Sequence, residues 1–94
     1  MMHIQILTID LQLPGCSSLK EKRQRTRAIK DKFKQLANVA VLESGYADSH
    51  QLSQWSFVIC ALDKKLIDQI IEQIEQYLNF EVDAVISNVN RERL

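Results

Sequence analysis

"LTIDLQLPGCSSLKEKRQRTRAIKDKFKQL", residues 7–36, holds a strand, a break and a helix in thirty residues, and the rest of the chain is read against it. Leu7, Ile9, Leu11 and Leu13 alternate with Thr8, Asp10 and Gln12, the period of two that a strand with one buried face requires. Pro14 lacks a ladder donor and Gly15 tolerates backbone angles closed to other residues, so the strand stops there. Ser18 then stands three residues before Glu21, the spacing of a capping box. From Leu19 onward Thr26, Ile29, Phe33 and Leu36 recur at intervals of three, four or seven, which predicts one apolar stripe on a helix from about Leu19 to Leu36 or Ala37.

Outward from this unit the pattern repeats. "NVAVLES", residues 38–44, reads as a second strand, and "GYADSHQLSQ" is a polar connection. "WSFVICAL", residues 55–62, is rich in aromatic and β-branched residues and reads as a third strand. Asp63 is placed to cap a second helix, whose apolar face runs through Leu66, Ile67, Ile70, Ile71, Ile74, Tyr77 and Leu78. "FEVDAVIS", residues 80–87, alternates and reads as the fourth strand, leaving "NVNRERL" as a frayed end. The order βαββαβ, with right-handed crossovers, gives a ferredoxin-like α+β sandwich: a four-stranded antiparallel sheet with both helices on one face. Ninety-four residues suffice for one domain, 1–94, around a single modest core.

Composition excludes several classes. No apolar run is long enough to span a membrane, and no apolar segment behind a basic leader suggests a signal peptide. Cys16 and Cys60 make no disulfide framework, so reduced thiols and a cytoplasmic protein are expected. His3 and His50 are isolated, no metal spacing or Gly-rich phosphate loop is present, and no nucleophile–base set stands out. Neither an enzyme nor a resident cofactor is expected. Cys16 precedes a helix N-terminus, but it has no partner nearby in sequence and reads as an incidental loop cysteine.

Two stretches resemble a known family. "LPGCSSLKEKR", Leu13–Arg23, is similar to the Pro-x3-Ser-Leu-Lys-Glu-Lys-Arg signature of the YlxP-like proteins, small bacterial proteins of uncharacterised function. "NVAVLE", Asn38–Glu43, resembles the same family's second strand, whereas "DSHQLSQW" departs from its acidic and Trp-Gln-Arg segment. The resemblance implies a ferredoxin-like fold and no known enzymatic activity. Genes of such proteins often lie beside translation and ribosome-maturation factors, which implies an association with RNA or ribosomes.

The charge distribution points the same way. The chain is neutral, yet residues 16–34 hold eight of its twelve Lys and Arg and only two of its twelve acids. Lys20, Arg23, Arg27, Lys30 and Lys34, spaced three, four, three and four, form one ridge along the helix, while Arg25 and Lys32 fall on the opposite flank. Like charges at these spacings cost a helix about 0.2–0.5 kcal/mol per pair, and cations in the first turn oppose its dipole. Stability alone does not select such a ridge, and a ridge that binds phosphates accounts for it; a merely solvated helix face is the competing reading. Lys22 is a separate anomaly, because it falls inside the apolar stripe. It either snorkels to the helix end or meets a buried carboxylate, for which Glu43 is the candidate.

In the third strand Trp55, Phe57, Ile59 and Ala61 point one way, and Val58, Cys60 and Leu62 the other. Two helices cover only one face, so an apolar patch is left over, and Trp55, Phe57, Val58 and Cys60 are the candidate interface residues for a homodimer or a protein partner. "QWSFVIC" also faintly echoes the RNP1 strand of RNA-recognition motifs, without the basic-Gly pair. Asp10–Gly15 resembles the ligand loop of ACT domains. The leading expectation is a non-enzymatic RNA-binding or ribosome-associated module using the basic helix. The alternatives are a small-molecule-binding regulatory module of ACT type and a protein-interaction module.

Overall fold

The alternation of residues 7–13 becomes part of a central strand. In the computed structural model, which describes all 94 residues, β1 spans His3–Gln12, followed by α1 (Leu19–Phe33), β2 (Val39–Gly45), β3 (Leu52–Ala61), α2 (Lys64–Phe80) and β4 (Val85–Arg93). The strands pair antiparallel in the order β2-β3-β1-β4. This is the ferredoxin-like arrangement expected from βαββαβ.

Leu7, Ile9 and Leu11 of β1 and Phe57 and Ile59 of β3 are fully buried on the face that the helices cover. Ile29 and Phe33 of α1 and Ile67, Ile74 and Leu78 of α2 close over them, and the whole forms one contiguous cluster of 18 buried residues. Each such side chain contributes roughly 1.5–3 kcal/mol by leaving water. Phe33 sits at the centre, edge-on to Phe57 with ring centroids 5.6 Å apart and edge-on to Tyr77 at 5.3 Å. Thus one α1 residue ties both the sheet and α2 to the helix layer.

The caps form where the sequence places them. Ser18 accepts the Glu21 amide at 3.1 Å, and Asp63 accepts the Lys65 amide at 2.9 Å. Four boundaries differ from expectation, the first being β3, which begins at Leu52 rather than Trp55, inside the stretch expected to be a polar connection. Helix α1 stops at Phe33 rather than Leu36, although Leu36 still packs against the core from the following turn. Helix α2 continues through Phe80, since no Gly or Pro interrupts it, and Phe80 is left 81% exposed. Strand β4 therefore begins at Val85 and runs through the tail expected to fray. Its register with β1, from Gln12↔Val85 to Gln5↔Arg93, supplies ladder bonds that the polar sequence did not advertise, and Arg91 reaches Asp68 of α2 at 2.8 Å.

Two irregularities shape the edges. Ser87 is the extra residue of a bulge in β4, where its hydroxyl donates to the Asp10 carbonyl at 3.2 Å. Ser44 is the extra residue in β2, and next to it Gly45 lies so close to Gln54 that an added Cβ would stand 2.9 Å from its Oε1.

Candidate nucleic-acid interface

Helix α1 presents three distinct flanks. Lys22, Thr26, Ile29 and Phe33 are buried against the sheet. Arg25 and Lys32 face α2 and the chain that follows it. Arg25 pairs with Glu21 at 2.9 Å and Asp83 at 3.5 Å and donates to the Pro14 carbonyl, while the Lys32 ammonium lies 5.6 Å from the Tyr77 ring centroid. These two cations are therefore taken up within the fold.

The third flank is the ridge. Lys20, Arg23, Arg27, Lys30 and Lys34 are all exposed. Lys34 pairs with Asp31 at 3.2 Å, whereas Lys20, Arg23, Arg27 and Lys30 form no ion pair. At 1.5 Å of rise per residue the ridge is about 21 Å long. It runs beside strand β2, and a shallow cavity of about 290 Å³ opens between the two. Arg23, Thr26, Arg27 and Lys30 line it from the helix, and Glu43 and Trp55 from the sheet.

The acids at that cavity are already paired. Glu43 Oε2 takes the Lys22 ammonium at 3.2 Å and the Ser53 hydroxyl at 2.8 Å, so its charge is already balanced. Asp31, also at the cavity, is balanced by Lys34. The three remaining cations, Arg23, Arg27 and Lys30, have no counter-charge. Trp55 is 6% exposed, and its indole Nε1 is buried without a hydrogen-bond partner. A buried donor left unmade costs about 1–3 kcal/mol, which makes it the exceptional polar group of this region.

The expected interface residues divide between the two faces. Trp55 and Phe57 lie under the helices, 6% and 0% exposed, so neither belongs to a sheet-face interface. The same placement removes the RNP1 echo, which needs its aromatics on the open face. Val58 and Cys60 do lie on the open face, beside Ile4 and Ile6 of β1 and Ala40 and Leu42 of β2 through the register Ile4↔Cys60, Ile6↔Val58, Ala40↔Val58. Further along the same face the surface turns polar. Thr8, Ser56 and Ser44 form a hydroxyl row, and the Gln54 amide donates to Asp10 at 2.9 Å. No three His, Cys, Asp or Glu side chains converge as metal ligands, and no helix is long and apolar enough to cross a membrane.

Sequence reasoning found the ridge but missed the cavity beside it. Trp55 read as a core or interface aromatic, and only the pairing Glu43↔Trp55 brings it beneath the ridge.

The fold and site define a small ferredoxin-like α+β protein with a cationic helix over one edge of its sheet. Residues 4–91 match the family model described as a protein of unknown function, DUF503, and the chain belongs to that family. Curated proteins gave no match. Among solved structures the chain is similar to two de novo designed proteins. Foldit4 is 14% identical with a TM-score of 0.56, over 98% of this chain and 97% of that one. Ferredog-Diesel is 13% identical with a TM-score of 0.55, over 95% and 83%. Likeness at this identity concerns the fold alone.

Proposed function

We propose that this protein is a non-enzymatic RNA-binding module, associated with ribosomal or other structured RNA, that contacts phosphates through Lys20, Arg23, Arg27, Lys30 and Lys34. One observation carries the reading: four of the five ridge cations are exposed on one flank of α1 with no acidic partner. Exposed Lys and Arg in a row supply affinity for phosphates without base selectivity. The likeness of Leu13–Arg23 and Asn38–Glu43 to the YlxP-like proteins supports the same reading. The small-molecule alternative is less favoured, because Asp10 is engaged by Gln54 and the Pro14 carbonyl by Arg25.

The test is binding of ribosomal RNA fragments at increasing salt. With three to five phosphates engaged, log affinity should fall against log salt with a slope of about −2 to −4. Changing Arg23, Arg27 and Lys30 together to Glu should abolish binding at about 50 mM salt. Equal binding by the triple variant refutes the reading.

A second reading concerns the open sheet face. Its apolar end, with Leu42 52% and Val58 37% exposed beside Ile4, Ile6 and Cys60, favours a homodimer packed there, leaving the ridge free on the other side of the sheet.

A further inference from the structure

We infer that the groove between α1 and α2 is a site for one unpaired nucleobase, stacked on Phe80 and read at its edge by glutamine amides. This rests on the RNA reading for the source of the base, but it uses a different chemistry and different residues from the ridge.

The groove, of about 540 Å³, is the largest cavity of the molecule. It forms where Phe33, the last residue of α1, meets Tyr77 edge-on at 5.3 Å and the chain turns away toward β2. Phe33, Leu36 and Tyr77 give it an apolar floor. Gln35 lines it from the α1 side, and Gln73, Gln76 and Phe80 from α2. The three α2 residues are three and four apart, so they share one face of the helix. Phe80 is 81% exposed and its ring is free to stack. A single exposed aromatic needs no explanation by itself. This one borders a groove whose polar walls are mostly amides.

That composition selects the ligand. An aliphatic ligand would cover the amides without pairing them, which is unfavourable. An anion meets no net positive charge, since Lys32 and Glu81 at the rim offset each other and the Lys32 ammonium already lies 5.6 Å from the Tyr77 ring centroid. Phosphate therefore belongs to the ridge. A nucleobase satisfies both kinds of wall: its face stacks on an aromatic ring, and its edge sets a donor beside an acceptor. Adenine is the base that a glutamine amide pairs with best. Gln76 gives an amide proton to Glu72 at 3.3 Å, while Gln35 and Gln73 are exposed to a ligand.

The groove is also within reach of the ridge. Lys34, the last ridge cation, is followed directly by Gln35. Ridge and groove lie on opposite flanks of α1, one helix diameter or about 10–12 Å apart. A strand held by its phosphates at the ridge can cross the end of α1 and set one base in the groove. A paired base within a duplex has neither its face nor its edge free, so the ligand is an unpaired one.

The probes are three blunt RNA duplexes, one with a single bulged adenosine, one with an abasic bulge and one fully paired, each followed by fluorescence anisotropy at about 50 mM salt. The wild type should bind the adenosine bulge about tenfold more tightly than the abasic bulge, the scale of one base–aromatic stack. Phe80→Ala, at an exposed position and checked by its melting temperature, should remove that difference and leave the affinity for the paired duplex unchanged. Changing Arg23, Arg27 and Lys30 to Glu should weaken binding of all three. Equal wild-type affinity for the adenosine and abasic bulges overturns the site, and so does a difference that survives in a folded Phe80→Ala variant. The RNA reading fails separately, when none of the duplexes binds. Free adenosine, which carries no phosphate, then decides the groove alone. Saturable shifts of the glutamine side-chain amide signals in NMR spectra, absent in Phe80→Ala, uphold the site and make a free nucleoside its ligand. No shift overturns it.

Discussion

The ammonium group of Lys22 lies 3.2 Å from Glu43 Oε2 and donates to two loop carbonyls, Tyr46 O at 2.6 Å and Ser49 O at 2.9 Å. All three of its protons are therefore used, in a side chain that is 4% exposed. The contact joins α1 to the edge strand β2 and fixes the β2–β3 connection, in which Tyr46 holds the left-handed φ of 60° that disfavours a residue with a Cβ.

Lys22→Met removes the charge but keeps the length of the side chain. It strands one carboxylate and two carbonyls, and Glu43 at 30% side-chain exposure recovers some hydration. The expected loss is about 2–3 kcal/mol, below the roughly 3–5 kcal/mol for a fully buried pair. Glu43→Gln keeps an acceptor and should cost about 1 kcal/mol. Urea unfolding measures both, and a loss under about 0.5 kcal/mol for Lys22→Met would show that the loop holds itself.

This pair was legible in the sequence because Lys22 violates the apolar stripe of its own helix, and Glu43 sits on the strand the helix must cover. The fold was legible for a similar reason: local alternation, the Pro14-Gly15 break and the two caps all agree. The strand β4 from Asn88 to Arg93 was not, since its order comes from pairing with β1 and from Arg91 reaching Asp68, both distant in sequence. The cavity at Trp55 was hidden likewise, because alternation defines two faces of β3 without saying which one meets the helices.

The two thiols exchange the roles their sequence positions suggest. Cys16, in the loop, is 1% exposed and its thiol approaches the Ser18 carbonyl at 3.5 Å, whereas Cys60, in a strand, is half-buried on the open face. A thiol reagent should modify Cys60 well before Cys16 under native conditions. Cys16→Ser should cost about 1–2 kcal/mol and Cys60→Ser no more than about 0.5 kcal/mol. Faster labelling of Cys16 would contradict its burial.

Tyr77, between α1 and α2, has its phenol pKa raised above 10, first by burial and then by the Glu81 and Asp31 carboxylates. A group raised in the folded state holds its proton longer there than in the unfolded chain. Its stabilising effect is thus complete below the unfolded pKa, about 10, and is lost as pH rises through the folded value. Tyr77→Phe should flatten the decline in melting temperature above about pH 10 and leave the neutral range nearly unchanged. An identical alkaline limb in the variant would place the titration elsewhere.

The open face makes a prediction about assembly. Val58 and Leu42 stand on the apolar end of the sheet, with neither helix near them. Sedimentation at tens of micromolar should give a dimer for the wild type. Val58→Glu combined with Leu42→Glu should give a folded monomer, since both positions are solvent-exposed in one chain. A wild-type monomer at these concentrations removes the dimer reading.

The ridge affects folding in the direction opposite to its proposed use. Lys20–Arg23, Arg23–Arg27, Arg27–Lys30 and Lys30–Lys34 are four like-charge neighbours at helical spacing. Changing Arg23, Arg27 and Lys30 to Glu turns the first and last of these into attractive pairs and leaves the middle two repulsive. The net gain is about 1 kcal/mol, partly offset by the new carboxylates' proximity to Glu43 and Asp31. The triple variant should therefore melt close to the wild type, so that its loss of RNA binding reflects charge and not unfolding. Glu72→Lys with Glu75→Lys on α2 is the matching control. It reverses charge in the opposite sense on the other helix, away from the ridge, and should not weaken RNA binding. Should those two lysines strengthen binding by as much as the triple Glu change weakens it, phosphate contact would not be confined to the ridge.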